Sequence, residues 1–191
     1  MVAGGVAEYQ YTHPEDLSKE EIKTLILNAK TKMETSAWSY YLVDWHYEEE
    51  TSVADYHTKV VHNADNSYVV TLSGSSDEVH SIKNGVYKWL NNSWTEYTNN
   101  QSTPTTYGEK LDTFLLHNLI DFDKMLLDEN NLFAGNSYNG YYLYWHRNPL
   151  EGGMQKIELL SNCHIDRIVD SNLYGYTITF YEDTNFGGYI R

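Results

Sequence analysis

After Ser36 the apolar residues of this chain stop recurring at helical spacing and begin to alternate, and the alternation continues to about residue 98 with only turn signals between. A period of two puts successive side chains on opposite faces of a pleated strand. In SAWSYYLVDWHYEEE it sets Trp38, Tyr40 and Leu42 on one face and Tyr41, Val43 and Trp45 on the other. Both faces are partly apolar, as in a strand covered on both sides for part of its length. ADYHTKVVHN follows, then a turn over residues 63–66, then SYVVTLSG closed by Gly74, then DEVHSIK. Asn84-Gly85 is the strongest short hairpin signal a sequence offers, and VYKWL and SWTEYT flank a further turn at Asn91-Asn92. Residues 37 to 98 therefore predict a meander of about six antiparallel strands.

The meander is preceded by a helix and followed by another helical stretch. Ser18 and Glu21 make a capping box, and Ile22, Leu25, Ile26, Ala29 and Met33 recur on one face, which predicts a helix over 18–35. Residues 1–16, with Gly4-Gly5 and Pro14, read as a polar tether, and 17–191 as one domain. The start has no basic stretch leading into a long apolar run, so an exported protein would have lost its signal before this numbering begins. NNQSTPTTYG interrupts the alternation. LDTFLLHNLIDFDKMLLDENN then returns to helical spacing and predicts one or two short helices between 107 and 130. Strands resume at GYYLYWHRN, MQKIELLSN, HIDRIVDSN and YGYTITFYED, for seven to ten strands in all.

Charge narrows the partners. The chain carries 27 acidic against 13 basic residues, a formal net charge of -14, with no basic cluster to offset it. Such a chain repels polyanions, which argues against nucleic acid and against adsorption to an anionic leaflet. No stretch of about 18 apolar residues is present to span a membrane as a helix. A single cysteine, Cys163, excludes an internal disulfide. The 18 tyrosines and 5 tryptophans suit strands with half-wet faces, or a surface that meets sugars or an apolar ligand.

Chemistry-bearing patterns are sparse. No nucleophile elbow, zinc-protease, phosphate-loop or dinucleotide motif occurs, and no cofactor is implied. Asp44/His46 and Asp55/His57 each put an acid and an imidazole on one face of a strand, about 6–7 Å apart, where the acid could orient the imidazole or the pair could hold a metal with help from elsewhere; the competing expectation is polar residues on a wet face. Asn63–Ser67 and Asp121/Asp123 hold fragments of a calcium loop and complete none. Neither a catalytic residue nor a metal ligand is assigned, and a non-enzymatic protein is expected.

Two resemblances stand out. ITFYEDTNFGGYIR, residues 178–191, is similar in wording to the βγ-crystallin signature, but no second copy lies upstream. TITFYE is therefore read as a final strand and DTNFGG as a turn. The order of elements resembles the LolA/LppX-like envelope lipoprotein domains over about 18–185. The stretches that carry the likeness are EEIKTLILNAKTKME before SAWSYYLVDW, the hairpin IKNGVYKWLNNSWTEY, the insertion LDTFLLHNLIDFDKMLL, and HIDRIVDSNLYGYTITFYED. The resemblance implies an α+β, mostly β fold, in which a curved antiparallel sheet forms a half-barrel. The N-terminal helix and the mid-chain helical insertion would cover its concave face. It implies an exported protein of the cell envelope, anchored to the membrane through a segment outside these residues. The implied partner is a lipid or other apolar molecule, or an envelope protein.

On that reading Trp38, Tyr40, Leu42, Trp89, Tyr142 and Tyr144 line a cavity, with Phe114, Leu115, Leu119 and Phe122 as its lid. The competing expectation for each is ordinary core. Two other functional readings remain open: a carbohydrate- or surface-binding β module using exposed Trp and Tyr, and a structural component whose sheet is filled by its own side chains.

Overall fold

The computed structural model describes residues 16–48, 51–73, 78–89, 95–98, 111–147, 153–170 and 176–182, with side chains described for all but 43–48, 51–57, 95–98 and 176. Helix α1 (Lys19–Thr35) leads into six strands: β1 (Trp38–Glu48), β2 (Thr51–His62), β3 (Tyr68–Ser73), β4 (Glu78–Lys83), β5 (Val86–Trp89) and β6 (Thr95–Thr98). A 3-10 turn at Leu111–Phe114 and two short helices, α2 (Leu116–Leu119) and α3 (Phe122–Leu127), come next, with a second 3-10 turn at Glu129–Asn131. Five strands complete the order: β7 (Leu132–Ser137), β8 (Gly140–His146), β9 (Met154–Leu160), β10 (Ile165–Asp170) and β11 (Tyr176–Thr179).

The fold is α+β and mostly β. The described strands form a six-stranded sheet in the order β1-β2-β3-β4-β5-β6 and a five-stranded sheet in the order β11-β10-β9-β8-β7. A half-barrel would be one curved sheet. The chain after β11 does meet β1, where Tyr181 and Ser39 exchange backbone hydrogen bonds of 2.9 and 2.8 Å, but as an isolated bridge rather than a ladder. Two compact units result: residues 1–32 with 122–177, and 33–121 with 178–191. No helix among the described residues is long and apolar enough to cross a membrane.

In the first unit, α1 begins where the capping box foretold. The Glu21 amide donates to Ser18 Oγ at 3.2 Å, and the Ser18 amide donates to Glu21 Oε2 at 2.7 Å. Together they satisfy two of the orphan donors every helix start exposes. Ile22, Leu25, Ile26 and Ala29 are buried. Lys23 pairs with Glu129 at 3.1 Å and Lys30 with Asp123 at 3.0 Å, so the helix runs beside the segment 123–129. The inner face of the five-stranded sheet carries Leu132, Ala134, Leu143, Trp145, Ile157, Leu159, Ile165 and Ile168, all buried. Two buried polar residues, Gln155 and Asp170, join this face in the row of Trp145. Trp145 donates from its indole to Asp128 at 2.8 Å, and Arg147 grips both oxygens of Asp170 at 2.6 Å.

Strand β7, LFAGNS, was not foreseen as a strand. Ala, Gly and Asn are weak strand formers. What holds it is β8 on one side and, on the other, Asp16 bridged to Gly135, with the Leu17 amide donating to Ala134 at 2.9 Å. The ring of Tyr142 lies across Gly135, and its hydroxyl donates to Asp16 at 2.9 Å.

Candidate functional site

In the second unit, strand register aligns side chains that lie far apart in the chain. One row across the six-stranded sheet is Trp38, His62, Tyr68, Ile82 and Tyr87; the next is Tyr40, Val60, Val70, His80 and Trp89; the third is Leu42, Thr58, Leu72 and Glu78. Burial alternates along β3 and β4, so these three rows form the covered face. Trp38 and Tyr40 retain no exposure; Leu42 and Trp89, at the margin, are half-buried. Phe180 closes one side, its ring 5.3 Å from that of Trp38 and 5.4 Å from that of Tyr40.

The polar groups on this face are spent on fixing its ends. Trp38 donates its indole N–H to the Met33 carbonyl at 2.7 Å, satisfying an acceptor in the last turn of α1. His62 stacks on Trp38 at 4.6 Å and uses its two ring nitrogens on the Ser36 carbonyl, 2.8 Å, and Asn66 Oδ1, 3.0 Å.

Residues 111–120 lie over the face as a cover of short turns. Leu111, Phe114, Leu115, Leu116, Leu119 and Ile120 are all buried. Three tyrosine hydroxyls from the sheet tether them. Tyr40 donates to the Phe114 carbonyl, Tyr87 donates to Asp112 Oδ1, and the Leu116 amide donates to the Tyr68 hydroxyl at 3.3 Å. Burial holds the Tyr40 phenol well above its ordinary pKa and raises that of Tyr68 to about 12, so both hydroxyls remain protonated across the physiological range.

At the far end of the middle and third rows sits a buried acid–base pair. His80 Nε2 lies 3.3 Å from Glu78 Oε2, with side chains 0% and 3% exposed, and the imidazole stacks on Trp89 at 5.7 Å. Burial lowers the His80 pKa against the opposing pull of Glu78. The pair has the acid-x-His spacing of Asp44/His46 and Asp55/His57. The side chains of those two earlier pairs lie outside the described residues.

The structure thus brings Trp38, Tyr40, Leu42, Trp89, Phe114, Leu115 and Leu119 into one unit, with four of them on a single sheet face. Tyr142 and Tyr144 it does not bring there: both stand on the open face of the five-stranded sheet, half-buried, with their rings 5.6 Å apart. Sequence reasoning missed Val60, His62, Tyr68, Val70 and Tyr87, because alternation shows that residues share a face of their own strand, not which strand lies next.

The calcium-loop fragments have other work. Asp65 accepts from Ser67 and from Lys83, the latter at 2.7 Å, and these bonds pull its pKa down to about 2. Asp123 pairs with Lys30. Among the described residues no group of three or more His, Cys, Asp or Glu is gathered to hold a metal ion. The predicted turns at Gly74, Asn91-Asn92 and DTNFGG lie outside the described residues, as do the tether through residue 15 and NNQSTPTTYG. Compared with protein-family models and with curated proteins, the chain matches none of them.

Proposed function

We propose that this protein is a non-enzymatic binding protein of the LolA/LppX-like kind that takes an acyl chain, or a comparably apolar ligand, between the six-stranded sheet and residues 111–120. The observation that carries the reading is an aromatic and aliphatic sheet face closed by short helical turns and tethered through three tyrosine hydroxyls. Such a hydrogen bond contributes about 0.5–1.5 kcal/mol net. Burial of acyl surface contributes about 0.8 kcal/mol per methylene. A chain of about ten methylenes therefore outweighs three tethers and leaves a margin for ordering costs. In this reading the protein works in a bacterial cell envelope, held there by a segment outside this sequence.

Native mass spectrometry of the protein, before and after incubation with dioleoylphosphatidylcholine vesicles, tests it. The expected result is a discrete added mass that matches a lipid recovered by organic extraction. Val70→Trp, which fills the centre of the face, should abolish the added mass; Leu42→Trp at the half-buried margin should reduce it in a chain that keeps its fold. A clean unliganded mass after incubation, or uptake unchanged in a folded Leu42→Trp variant, would sink the reading.

A further inference from the structure

The open face of the five-stranded sheet carries a feature that the apolar-ligand reading does not use. A shallow groove of about 290 Å³ runs from the β7–β8 hairpin, where Tyr138 is fully exposed, across Tyr142 and Tyr144 to Lys156, Glu158 and Asp166. The alternation of β8 and β9 produces it. Tyr142 pairs across the strands with Glu158 and Tyr144 with Lys156, so two rings and two charges share the face opposite Leu143 and Ile157.

The groove is built to hold still. The Tyr142 and Tyr144 rings meet edge to face at 67°. Lys156 Nζ stands 5.7 Å from the Tyr144 ring centroid and 3.0 Å from Glu158 Oε1. Arg167 approaches both Glu158 oxygens, at 2.8 and 2.9 Å. A carboxylate has about four acceptor positions, so these three charge-assisted bonds orient it and leave room for one more donor. The hairpin is equally constrained. A Cβ on Gly140 would lie 2.2 Å from the Leu159 carbonyl oxygen, so only glycine lets β8 start there and lets Tyr138 and Asn139 stand at the groove's end.

We infer that this groove is a binding site for an uncharged glycan, one or two sugar rings at a time. Tyrosine offers a broad apolar ring with a polar tip, the surface against which the C–H face of a pyranose packs while its hydroxyls find partners. Glu158, Asp166 and Asn139 supply acceptors, and Lys156 and Asn139 supply donors, around the rim. The volume sits at the small end of ligand sites, which range from about 300 to 1,000 Å³. Charge selects against acidic sugars: the positive charges of Lys156 and Arg167 are already balanced by Glu158, though Lys156 keeps N–H groups to donate, and the chain as a whole carries -14. The site lies within the first unit and does not depend on the acyl-chain reading of the second.

The test is heteronuclear NMR titration of the full chain with cellotetraose, chitotetraose, maltotetraose and mannotetraose, with a heparin tetrasaccharide as the anionic comparison. At least one neutral tetrasaccharide should shift the resonances of Tyr138, Tyr142, Tyr144 and Lys156 together, and heparin should not. Tyr144→Ala should weaken binding at least tenfold. Tyr138→Ala, on an exposed turn where folding is not at stake, should weaken it several-fold with the melting temperature unchanged. No shift from any neutral sugar at millimolar concentration would overturn the inference, as would binding of heparin alone or affinity indifferent to the loss of Tyr138.

Discussion

At Gly135 the backbone of β7 runs so close beneath Tyr142 that a Cβ would fall 2.4 Å from the phenol oxygen and 2.8 Å from Asp16 Oδ1. The tyrosine ring covers the strand where glycine leaves it bare, which is how a weak strand former is retained in a sheet. Gly135→Ala should therefore cost about 1–3 kcal/mol in urea denaturation, the range for overpacking. In a Tyr142→Ala background the same change should cost clearly less; equal costs in the two backgrounds would show that the ring is not what alanine meets. Buried His80 couples stability to pH. Its folded pKa lies below the ordinary value of about 6.5, so below that pH the unfolded chain binds the proton more readily than the native one. The native state should keep its full stability above pH 6.5 and lose some as pH falls through the window beneath it. Melting curves from pH 7.5 to 5 would show this as a drop that His80→Gln flattens; an unchanged slope in that variant would assign the drop to other groups. Glu78 and His80 were within reach of the sequence, since their spacing repeats that of two pairs already noticed. Their burial was not, because it depends on Leu72 and Trp89 arriving from neighbouring strands.

Elements divide sharply by how local their causes are. Helix α1 was readable almost to the residue because its cap, its apolar stripe and all its backbone partners lie within a few positions of one another. The hairpin at Asn84-Gly85 was readable for the same reason, and the chain there does turn between β4 and β5, with Asn84 at φ 50° and Gly85 at φ 75°. The cover is a different case. Its helical spacing predicts one or two short helices between 107 and 130, and the chain makes two there, of 4 and 6 residues, with a 3-10 turn before the first and after the second. Pieces this short have no stability of their own. Those in 111–120 are held by Tyr40, Tyr68 and Tyr87. Tyr68→Phe and Tyr87→Phe should each cost about 1 kcal/mol and raise amide exchange in residues 111–120 well above any increase in β2 and β3. Exchange that rises equally in cover and sheet would mean that the segment opens only with the whole unit.

For the molecule as a whole, the sequence by itself determined where chain periods change, where α1 starts, that the fold is mostly β, and that the net charge is -14. These follow from interactions between near neighbours or from simple sums over side chains. Only the tertiary structure decided that Trp38 lies in a row with Tyr87, that Trp89 joins the face of Tyr40, and that Tyr142 and Tyr144 belong to another sheet altogether. It also decided that LFAGNS is a strand. The reason is the geometry of the hydrogen bond. A helix bonds each N–H to a carbonyl four residues away, and the partner is written in the adjacent sequence. A strand has its partners on another strand, and alternation is the same whichever strand that is. Register, and with it the composition of every site on these two sheets, is settled only when distant segments have met.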